Sequence, residues 1–313
     1  MRVELTPALL ELDAHAEEVI LLLHHFRKGR HEWAVTPLLV EVAESFIDRH
    51  LPHRGSIYKQ LLRKAAQQYA YRTTADPPIE QVSPEDVEDL VEDLNRPAVL
   101  VVESNDSDRR FIRGVAKILG AVDILQAIEN QWLIIGHGGG GDTCRRAREE
   151  YESFRRVKRA AALLDSDRWA PGTPEKNAHR VQELRALGIK IHVLALREAE
   201  NYVPNKTLRA VRPHRESSVR LGHLRRLTPD QRGYFDMKHG FKKTQGVPEQ
   251  QQQLFADAAS DVLDGLSEGF GQDLLKVFES TADRLTEADL ARDVGEAVPG
   301  ELRGLVAMLR EIL

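Results

Sequence analysis

The sequence predicts an α/β fold: a mainly parallel, four-stranded sheet enclosed by helices, with helical N-terminal and C-terminal regions. Four short apolar runs lie between residues 98 and 196, and stretches with a helical pattern separate them. Strands that alternate with helices along a chain form parallel sheets through β-α-β crossovers. On both sides of this region, apolar residues recur at the spacing of amphipathic helices.

Residues 1–96 are predicted to form a helical N-terminal domain. Thr6 and Pro7 indicate a helix start, because threonine caps helices and proline is tolerated in the first turn. Leucine, valine and isoleucine then recur at near-helical spacing, and a second start at Ser83 precedes the same pattern. Two further helices are predicted at 35–50 and 56–71, followed by a polar connection over 72–81.

Residues 97–205 are predicted to hold the central sheet. Its runs are short and largely apolar, and the run at 98–102 is apolar throughout, which is typical of a strand buried on both faces. The predicted strands are 98–102, 132–135, 160–164 and 189–196, and the predicted helices between them are 107–119, 143–156 and 174–187. From residue 249 the pattern is again helical, which predicts an acidic helical C-terminal region over 249–313.

Acidic residues follow three of the four predicted strands. The carboxyl ends of parallel strands meet at one edge of a sheet, so these carboxylates are expected to converge there. Carboxylates packed so closely repel one another, and a proton or a bound cation must compensate their charge. Oxygen ligands suit Mg²⁺ or Mn²⁺. The candidate metal ligands are Glu103, Asp108, Asp165, Asp167, Glu198 and Glu200.

These residues resemble the motifs of the TOPRIM domain, which topoisomerases, bacterial primases and OLD-type nucleases share. That family has a glutamate after its first strand and a DxD motif after its third. VVES at 101–104 and LLDSD at 163–167 look like these two motifs, and REAENYV at 197–203 is similar to a signature of the OLD-like and stand-alone nuclease branch. The resemblance covers residues 97–205, about a third of the chain.

The resemblance implies a two-metal phosphodiesterase. Glu103 would act as a base or a ligand, Asp165 and Asp167 as ligands, and Glu200 as a ligand of a second ion. Lys238, in an aromatic and basic stretch similar to a segment of this branch, would stabilise charge on the phosphate and completes the catalytic set. Ser104 stands where the family has glycine. In that family an acidic residue, an outer metal ligand, commonly follows the first glutamate by four positions. Ser107 stands at that position here, and the residues on either side of it, Asp106 and Asp108, are alternatives for the outer ligand.

The glycine run at 136–141 follows the second strand and nearly matches a phosphate-binding P-loop. Asp142 occupies the position of the P-loop lysine and would repel phosphates, so ATP binding there is rejected. The run is either a tight turn or a backbone surface close to a substrate phosphate. His137 is expected at the surface, and Cys144, the only cysteine, is expected to be structural.

The net charge of −5 conceals a strongly basic segment. Residues 1–97 carry −6, residues 98–200 carry +2, residues 201–248 carry +8 and residues 249–313 carry −9. Such asymmetry predicts a surface that binds a polyanion, and 206–248 is the predicted substrate-binding segment. The alternatives are a solvated helix face or a docking surface for the acidic ends. The candidate nucleic-acid contacts are Arg209, Arg212, Arg215, Arg225, Arg226, Lys242 and Lys243.

Together these features predict a metal-dependent nuclease that acts on DNA or RNA, with tRNA among the candidate substrates. The chain is too short for the large domain that carries a topoisomerase tyrosine, and one cysteine cannot form a primase zinc module. It resembles the short TOPRIM effectors of bacterial antiphage systems such as PARIS, which implies a toxic effector and an ATPase or sensor partner. A homo-oligomer is also considered. The alternative is a non-catalytic nucleic-acid-binding or regulatory subunit.

Cysteine content and hydropathy predict where the protein resides. A single cysteine excludes an intramolecular disulfide and fits a reducing cytoplasm. The apolar runs are too short to span a bilayer, so no membrane association is expected. The acidic N-terminus lacks the basic and then apolar pattern of a signal peptide.

Overall fold

The N-terminal part combines helices with a small parallel sheet. The computed structural model of the chain describes residues 1–71, 79–139, 142–242 and 245–313. The strands of this sheet stand in the order β2-β1-β3. In chain order the elements are β1 (Arg2–Leu5), α1 (Pro7–Glu11), α2 (Ala16–Lys28), β2 (Glu32–Trp33), α3 (Val40–His50), α4 (Gly55–Tyr69), β3 (Ile79–Val82) and α5 (Val87–Asn95).

The prediction of a purely helical N-terminal domain is therefore wrong about these strands, whereas the predicted helices are present. Each strand has four residues or fewer, and each pairs with a segment distant in sequence. In β1, Val3 and Leu5 are fully buried and alternate with charged residues, a pattern too short to distinguish from a helix start. The strand β3 lies in part of the predicted polar connection, of which residues 72–78 lie outside the described ranges.

The central sheet has four parallel strands in the order β5-β4-β6-β7. It confirms the predicted α/β class and all four predicted strands. The helix α7 was not predicted, because its eight residues give little periodicity. In chain order the elements are β4 (Ala98–Val102), α6 (Asn105–Ile118), α7 (Val122–Glu129), β5 (Leu133–His137), α8 (Thr143–Ser153), β6 (Ala160–Leu164), α9 (Ala178–Ala186) and β7 (Lys190–Val193).

Both faces of the central sheet are covered at its two inner strands, β4 and β6, which explains why these strands are apolar throughout. Side chains alternate between the faces along a strand. Val99 and Val101 of β4 pack in one core, together with Ala147 of α8. Leu100 and Val102 belong to the core on the other face.

The chain after β7 adds helices to this second core. Phe278 of α14 packs so closely on α6 that a Cβ at Gly114 would lie 2.5 Å from its ring. Leu305 of α16 belongs to the same core. No helix in the described ranges is long and apolar enough to cross a membrane. The elements are α10 (Asn205–Ala210), α11 (His214–Leu224), α12 (Pro229–Tyr234), α13 (Ser260–Gly265), α14 (Leu274–Thr281), α15 (Glu287–Asp293) and α16 (Val298–Ile312).

A buried network of hydrogen bonds connects the N-terminal part to the central sheet. The Asp93 carboxylate at the end of α5 accepts hydrogen bonds from the backbone N–H groups of Arg155, Arg156 and Val157, at 3.0, 2.6 and 2.9 Å. The Arg159 guanidinium is 0% exposed and donates to backbone carbonyls, including that of Asp93. These bonds fix the start of β6 against the end of α5.

Candidate active site

Six carboxylates converge at the carboxyl edge of the central sheet. One follows β4, one lies in the first turn of α6, two follow β6 and two lie in the turn after β7. They are close enough for the charges of their neighbours to raise the pKa of Glu103 and of Asp165. The structure therefore brings together every carboxylate that the sequence placed in the candidate metal set: Glu103, Asp108, Asp165, Asp167, Glu198 and Glu200.

Burial and mutual repulsion favour the protonated forms of the central carboxyl groups. Burial raises the pKa of Asp165 well above its ordinary value, and neighbouring carboxylates, Asp108 first, raise it further. The pKa of Glu103 is raised to about 7, mainly by burial and next by Asp167, while Lys176 opposes the rise. Burial also raises the pKa of Glu200. A cation at this edge would relieve the repulsion.

The structure distinguishes between the two alternatives for the outer acid. Asp108 is buried and accepts a hydrogen bond from the backbone N–H of Ser104 at 2.8 Å. Asp106 is exposed and forms an ion pair with Arg110, 2.9 Å away on the same helix. Only Asp108 therefore belongs to the carboxylate cluster.

The loop that carries Asp165 and Asp167 is fixed to the end of the neighbouring strand. Ser166 is fully buried, and its hydroxyl donates to the carbonyl oxygen of Leu196 at 2.8 Å. The Asp167 N–H donates to the carbonyl of Arg197 at 3.1 Å. Asp167 has a φ of 50°, a left-handed conformation that is uncommon for residues other than glycine and that recurs at functional sites.

A short turn after β7 holds Glu198 and Glu200. Glu198 caps a 3₁₀ helix over Ala199–Tyr202, and its N–H donates to the side chain of Asn201 at 3.1 Å. The Asn201 amide also donates to the carbonyls of Arg232 and Phe235. Asn201 thus joins this turn to the segment that leads to Lys238.

Two lysines compensate part of the negative charge. Lys238 Nζ lies 3.0 Å from Glu200 Oε1 and 4.0 Å from Glu198 Oε2. Lys176 Nζ lies 2.8 Å from Asp167 Oδ2. The structure therefore places Lys238, a sequence-predicted residue, at the cluster. Lys176 was not predicted, because a lysine in a polar loop before α9 has no distinguishing pattern.

Two glycines allow the close backbone contact that positions Lys238. A Cβ at Gly269 would lie 2.3 Å from the Lys238 carbonyl carbon, and a Cβ at Gly240 would lie 2.5 Å from the Leu266 carbonyl oxygen. The N–H of Gly271 donates to the Lys238 carbonyl at 3.1 Å. The backbone at Lys238 is thereby held against the chain before α14.

The donor set fits a hard divalent cation by its chemistry, since all six groups are carboxylates. Within residues 1–71, 79–139, 142–242 and 245–313, however, no group of three or more His, Cys, Asp or Glu side chains is arranged to hold a metal ion. Lys176 and Lys238 pair with two of these carboxylates, Asp167 and Glu200. Metal coordination would therefore require these side chains to rearrange.

An arginine and an aromatic ring lie beside the cluster. Arg197 Nε donates to Glu198 Oε1 at 3.2 Å, and the guanidinium carbon lies 4.2 Å from the centre of the Trp169 ring. Both side chains line a cavity of about 330 Å³, as does Lys242. This cavity places a planar cation and an aromatic group next to the carboxylates.

The start of the glycine run after β5 lies close to the start of α8. A Cβ at Gly138 would lie 2.5 Å from the Thr143 hydroxyl oxygen, and Gly139 has a φ of 72°. Residues 140 and 141 lie outside the described ranges. His137 is exposed, as expected, and Cys144 is buried.

The candidate nucleic-acid contacts differ in position and pairing. Arg209, Arg212, Arg215 and Arg225 are exposed, and none has a carboxylate partner among the described residues. Arg212 and Arg215 lie at the start of α11 and Arg225 lies at its end, so about 16 Å of helix separates them. Lys242 is exposed beside Trp169, and Lys243 lies outside the described residues.

Acidic residues of the C-terminal region neutralise other bases of the same segment. Arg226 pairs with Asp261, Arg220 lies 3.1 Å from Glu268, and Lys206 lies 3.0 Å from Asp289. Part of the basic segment therefore docks the acidic helices, as the alternative interpretation expected, whereas Arg209, Arg212, Arg215 and Arg225 face solvent. Arg232 is buried and donates to the Val203 carbonyl.

The geometry of this edge is the basis for inferring function. Its carboxylates are joined to lysines, and an aromatic cavity lies beside them. Comparisons with family models, with curated proteins and with solved structures find no match for this chain.

Proposed function

We propose that the chain is a metal-dependent nuclease of the TOPRIM type, which hydrolyses phosphodiester bonds in DNA or RNA with Mg²⁺ or Mn²⁺. The convergence of six carboxylates and Lys238 at one edge of the sheet carries the proposal. Such a concentration of negative charge around a substrate that is itself anionic calls for bound cations. When bound, divalent ions would activate a water molecule and stabilise the leaving oxygen.

The residues of the chain have distinct roles in this proposal. Asp165 and Asp167 would hold one ion, with Asp108 as the outer ligand, and Glu198 and Glu200 would hold a second. Glu103 has a pKa raised to about 7 by burial and neighbouring acids, so it can accept a proton from the attacking water near neutral pH.

Lys238 and the exposed arginines bind the substrate in this proposal. Lys238, which pairs with Glu200 in the free chain, would donate to a non-bridging phosphate oxygen of the substrate. Arg212 and Arg215 contact phosphates farther along the strand, because exposed, unpaired arginines bind the nucleic-acid backbone without regard to sequence.

The biological role follows from the resemblance to short TOPRIM effectors. We propose a toxic effector of a bacterial antiphage system that acts in the cytoplasm and is restrained by an ATPase or sensor protein, or by a second copy of the chain. The ion pairs between the basic segment and the acidic C-terminal residues support a restrained state, since they mask bases that substrate would otherwise reach.

The deciding experiment incubates the purified full chain with supercoiled plasmid, single-stranded DNA and total tRNA, each with Mg²⁺, Mn²⁺ or EDTA. Cleavage should require a divalent ion. The Glu103→Ala and Asp165→Ala variants should lose at least about 100-fold in rate, the effect of removing a general base or a ligand. Asp106→Ala is the matched control, because that carboxylate pairs with Arg110 outside the cluster and should retain cleavage.

A second candidate function is a non-catalytic nucleic-acid-binding subunit. The observation that favours it is that lysines of the chain itself pair with Glu200 and Asp167. Binding without cleavage under every metal condition, together with a cellular effect that survives Glu103→Ala and Asp165→Ala, would support this function and overturn the nuclease.

A further inference from the structure

A second cavity, of about 480 Å³, lies between the small N-terminal sheet and the helices that cover the central sheet. Its walls come from β2, α2, α4, α7 and α16, and none of the candidate catalytic residues lines it. Its volume falls within the roughly 300–1,000 Å³ typical of sites for small organic ligands. The cavity is therefore large enough for a ligand that is independent of the carboxylate edge.

Aromatic rings form part of the cavity wall. Trp33 stacks on Phe26, with ring centres 5.5 Å apart and an angle of 12° between the planes. Trp132 and Leu61 line the cavity as well. Flat apolar walls of this kind favour a planar ring system as one part of the ligand.

Among the charged side chains that line the cavity, the basic ones outnumber the acidic ones. Two of the lining bases are neutralised: Arg2 lies 2.8 Å from Glu32, and Arg310 lies 2.7 Å from Asp123. Neither Arg30 nor Lys64 has a carboxylate partner among the described residues, and both line the cavity. The guanidinium of Arg30 donates only to the backbone carbonyls of residues 95 and 96. Two uncompensated cations at one cavity favour an anionic ligand.

Two adjacent residues also present buried polar atoms that lack hydrogen-bond partners. Among the described residues, Arg30 Nε has no acceptor and His31 Nδ1 has no partner. The His31 side chain is 3% exposed, and its Nε2 lies 3.0 Å from the Leu94 carbonyl, so Nε2 carries the proton. Nδ1 is consequently an acceptor. Buried polar atoms are rarely left unsatisfied, and both residues line the cavity, so a ligand there would pair these atoms once the two side chains turn toward it.

We propose that this cavity binds a nucleoside monophosphate. The phosphate would accept hydrogen bonds from Arg30 Nε and from the Lys64 ammonium group. A ribose hydroxyl or a base N–H would donate to His31 Nδ1, and the base would pack against the tryptophan-lined wall. A nucleotide supplies in one small molecule the anion, the donor and the flat ring that the cavity requires. The proposal concerns binding alone and stands whether or not the chain is a nuclease.

The test titrates the full chain with AMP, GMP, CMP and UMP in EDTA and follows tryptophan fluorescence. The chain has three tryptophans, and Trp33 and Trp132 line this cavity. The Trp169→Phe background removes the signal from the carboxylate edge. At least one monophosphate should change the fluorescence at submillimolar concentration. The matching nucleoside and inorganic phosphate should each bind at least about 10-fold more weakly, which corresponds to about 1.4 kcal/mol.

The paired variants are Lys64→Ala and Lys28→Ala. Both lysines are exposed on helices of the N-terminal part, so neither change should unfold the chain, and only Lys64 lines the cavity. Lys64→Ala should weaken binding of the active monophosphate about 5-fold or more, and Lys28→Ala should leave it unchanged. No response to any monophosphate, equal binding of inorganic phosphate alone, or equal effects of the two variants would each overturn the proposal.

Discussion

Lys238 Nζ lies 3.0 Å from the Oε1 atom of Glu200, a carboxylate that is only 2% exposed. Burial alone would lower the pKa of Lys238, but Glu200, Glu198 and Asp165 outweigh it and raise the pKa above its ordinary value. The pair joins the turn after β7 to a segment far along the chain. Its geometry makes Lys238 both a structural counter-ion and, in the proposed nuclease, a group ready to meet a phosphate.

We predict that Lys238→Met destabilises the metal-free protein, because it leaves Glu200 buried without a cation. Breaking one side of a buried ion pair costs about 3–5 kcal/mol. The double variant Lys238→Met with Glu200→Gln should recover much of that free energy of unfolding, since no charge then lacks a partner. Urea denaturation of the two single variants and the double variant in EDTA measures the coupling. If the losses in free energy of unfolding of the two single variants add up to the loss in the double variant, the ion pair contributes nothing to stability.

The pKa of Glu103 predicts how stability depends on pH. In the folded chain this pKa is raised from 4.5 to about 7, so between these values the folded state binds more protons than the unfolded state. Stability from this group is therefore highest below about pH 4.5 and is lost as pH rises toward 7. The Glu103→Gln variant should lack this decline. The measurement is the difference between wild type and variant in melting temperature from pH 4.5 to 8, in EDTA.

Buried histidines change stability with pH in the opposite sense over much of the same pH range. The measurement is therefore the difference in melting temperature between wild type and variant, plotted against pH as a difference curve. Burial lowers the pKa of His25 to about 4, so the unfolded state takes up the proton first and stability falls as pH drops below about 6.5. Asp106→Asn serves as the control, because its carboxylate lies outside the cluster. A difference curve that is flat for Glu103→Gln would contradict a raised pKa at Glu103.

Lys176 is expected to compete with a metal ion for Asp167, 2.8 Å away. Its side chain is 67% exposed, so Lys176→Ala should change stability by less than about 1 kcal/mol. In the proposed nuclease the same variant should bind Mn²⁺ several-fold more tightly, because Asp167 is then free. Calorimetric titration with Mn²⁺ tests this, and Lys190→Ala, which removes a surface lysine that pairs with Glu311, is the matched control. Unchanged or weaker Mn²⁺ binding in Lys176→Ala would refute the competition.

The exposed arginines at the start of α11 should determine how nucleic-acid affinity depends on salt. Replacing Arg212 and Arg215 with alanine should weaken binding of any sequence, and the slope of log affinity against log salt should fall by about one for each phosphate that the protein no longer neutralises. Arg226→Ala should change the slope less, since that side chain already pairs with Asp261. Fluorescence anisotropy with a labelled oligonucleotide from about 50 to 200 mM salt distinguishes the two. Equal slopes for wild type and the double variant would exclude this surface.

The central sheet and its carboxylates could be predicted from the sequence because both depend on local patterns of residues. Strands such as β4 are apolar throughout since both faces are covered, and a carboxylate such as Glu103 follows directly after its strand. The strand β1 was missed because it has four residues and pairs only with distant segments. Lys176 was missed for a similar reason: its importance comes from a loop that returns to Asp167. The cavity at Arg30 and Trp132 depends entirely on tertiary packing.

The close backbone contact at Gly269 allows a test of whether it positions Lys238 for catalysis or only stabilises the fold. An alanine Cβ at Gly269 would lie 2.3 Å from the backbone of Lys238, so the chain at Lys238 must move. We expect Gly269→Ala to cost about 1–3 kcal/mol of stability, the usual range for overpacking. In the proposed nuclease it should also lower the cleavage rate. Affinity for substrate in EDTA should change little, because the exposed arginines are untouched and Lys238 pairs with Glu200 in the metal-free chain.

Gly304→Ala is the matched control, since Gly304 lies inside α16 and its Cβ would meet nothing within 4 Å. Alanine should stabilise that helix by about 0.5–1 kcal/mol and leave cleavage unchanged. Denaturation and single-turnover cleavage of both variants, measured well below their melting temperatures, provide the comparison. If Gly269→Ala were destabilised yet cut substrate at the wild-type rate, the backbone contact would hold the fold together without positioning Lys238 for catalysis.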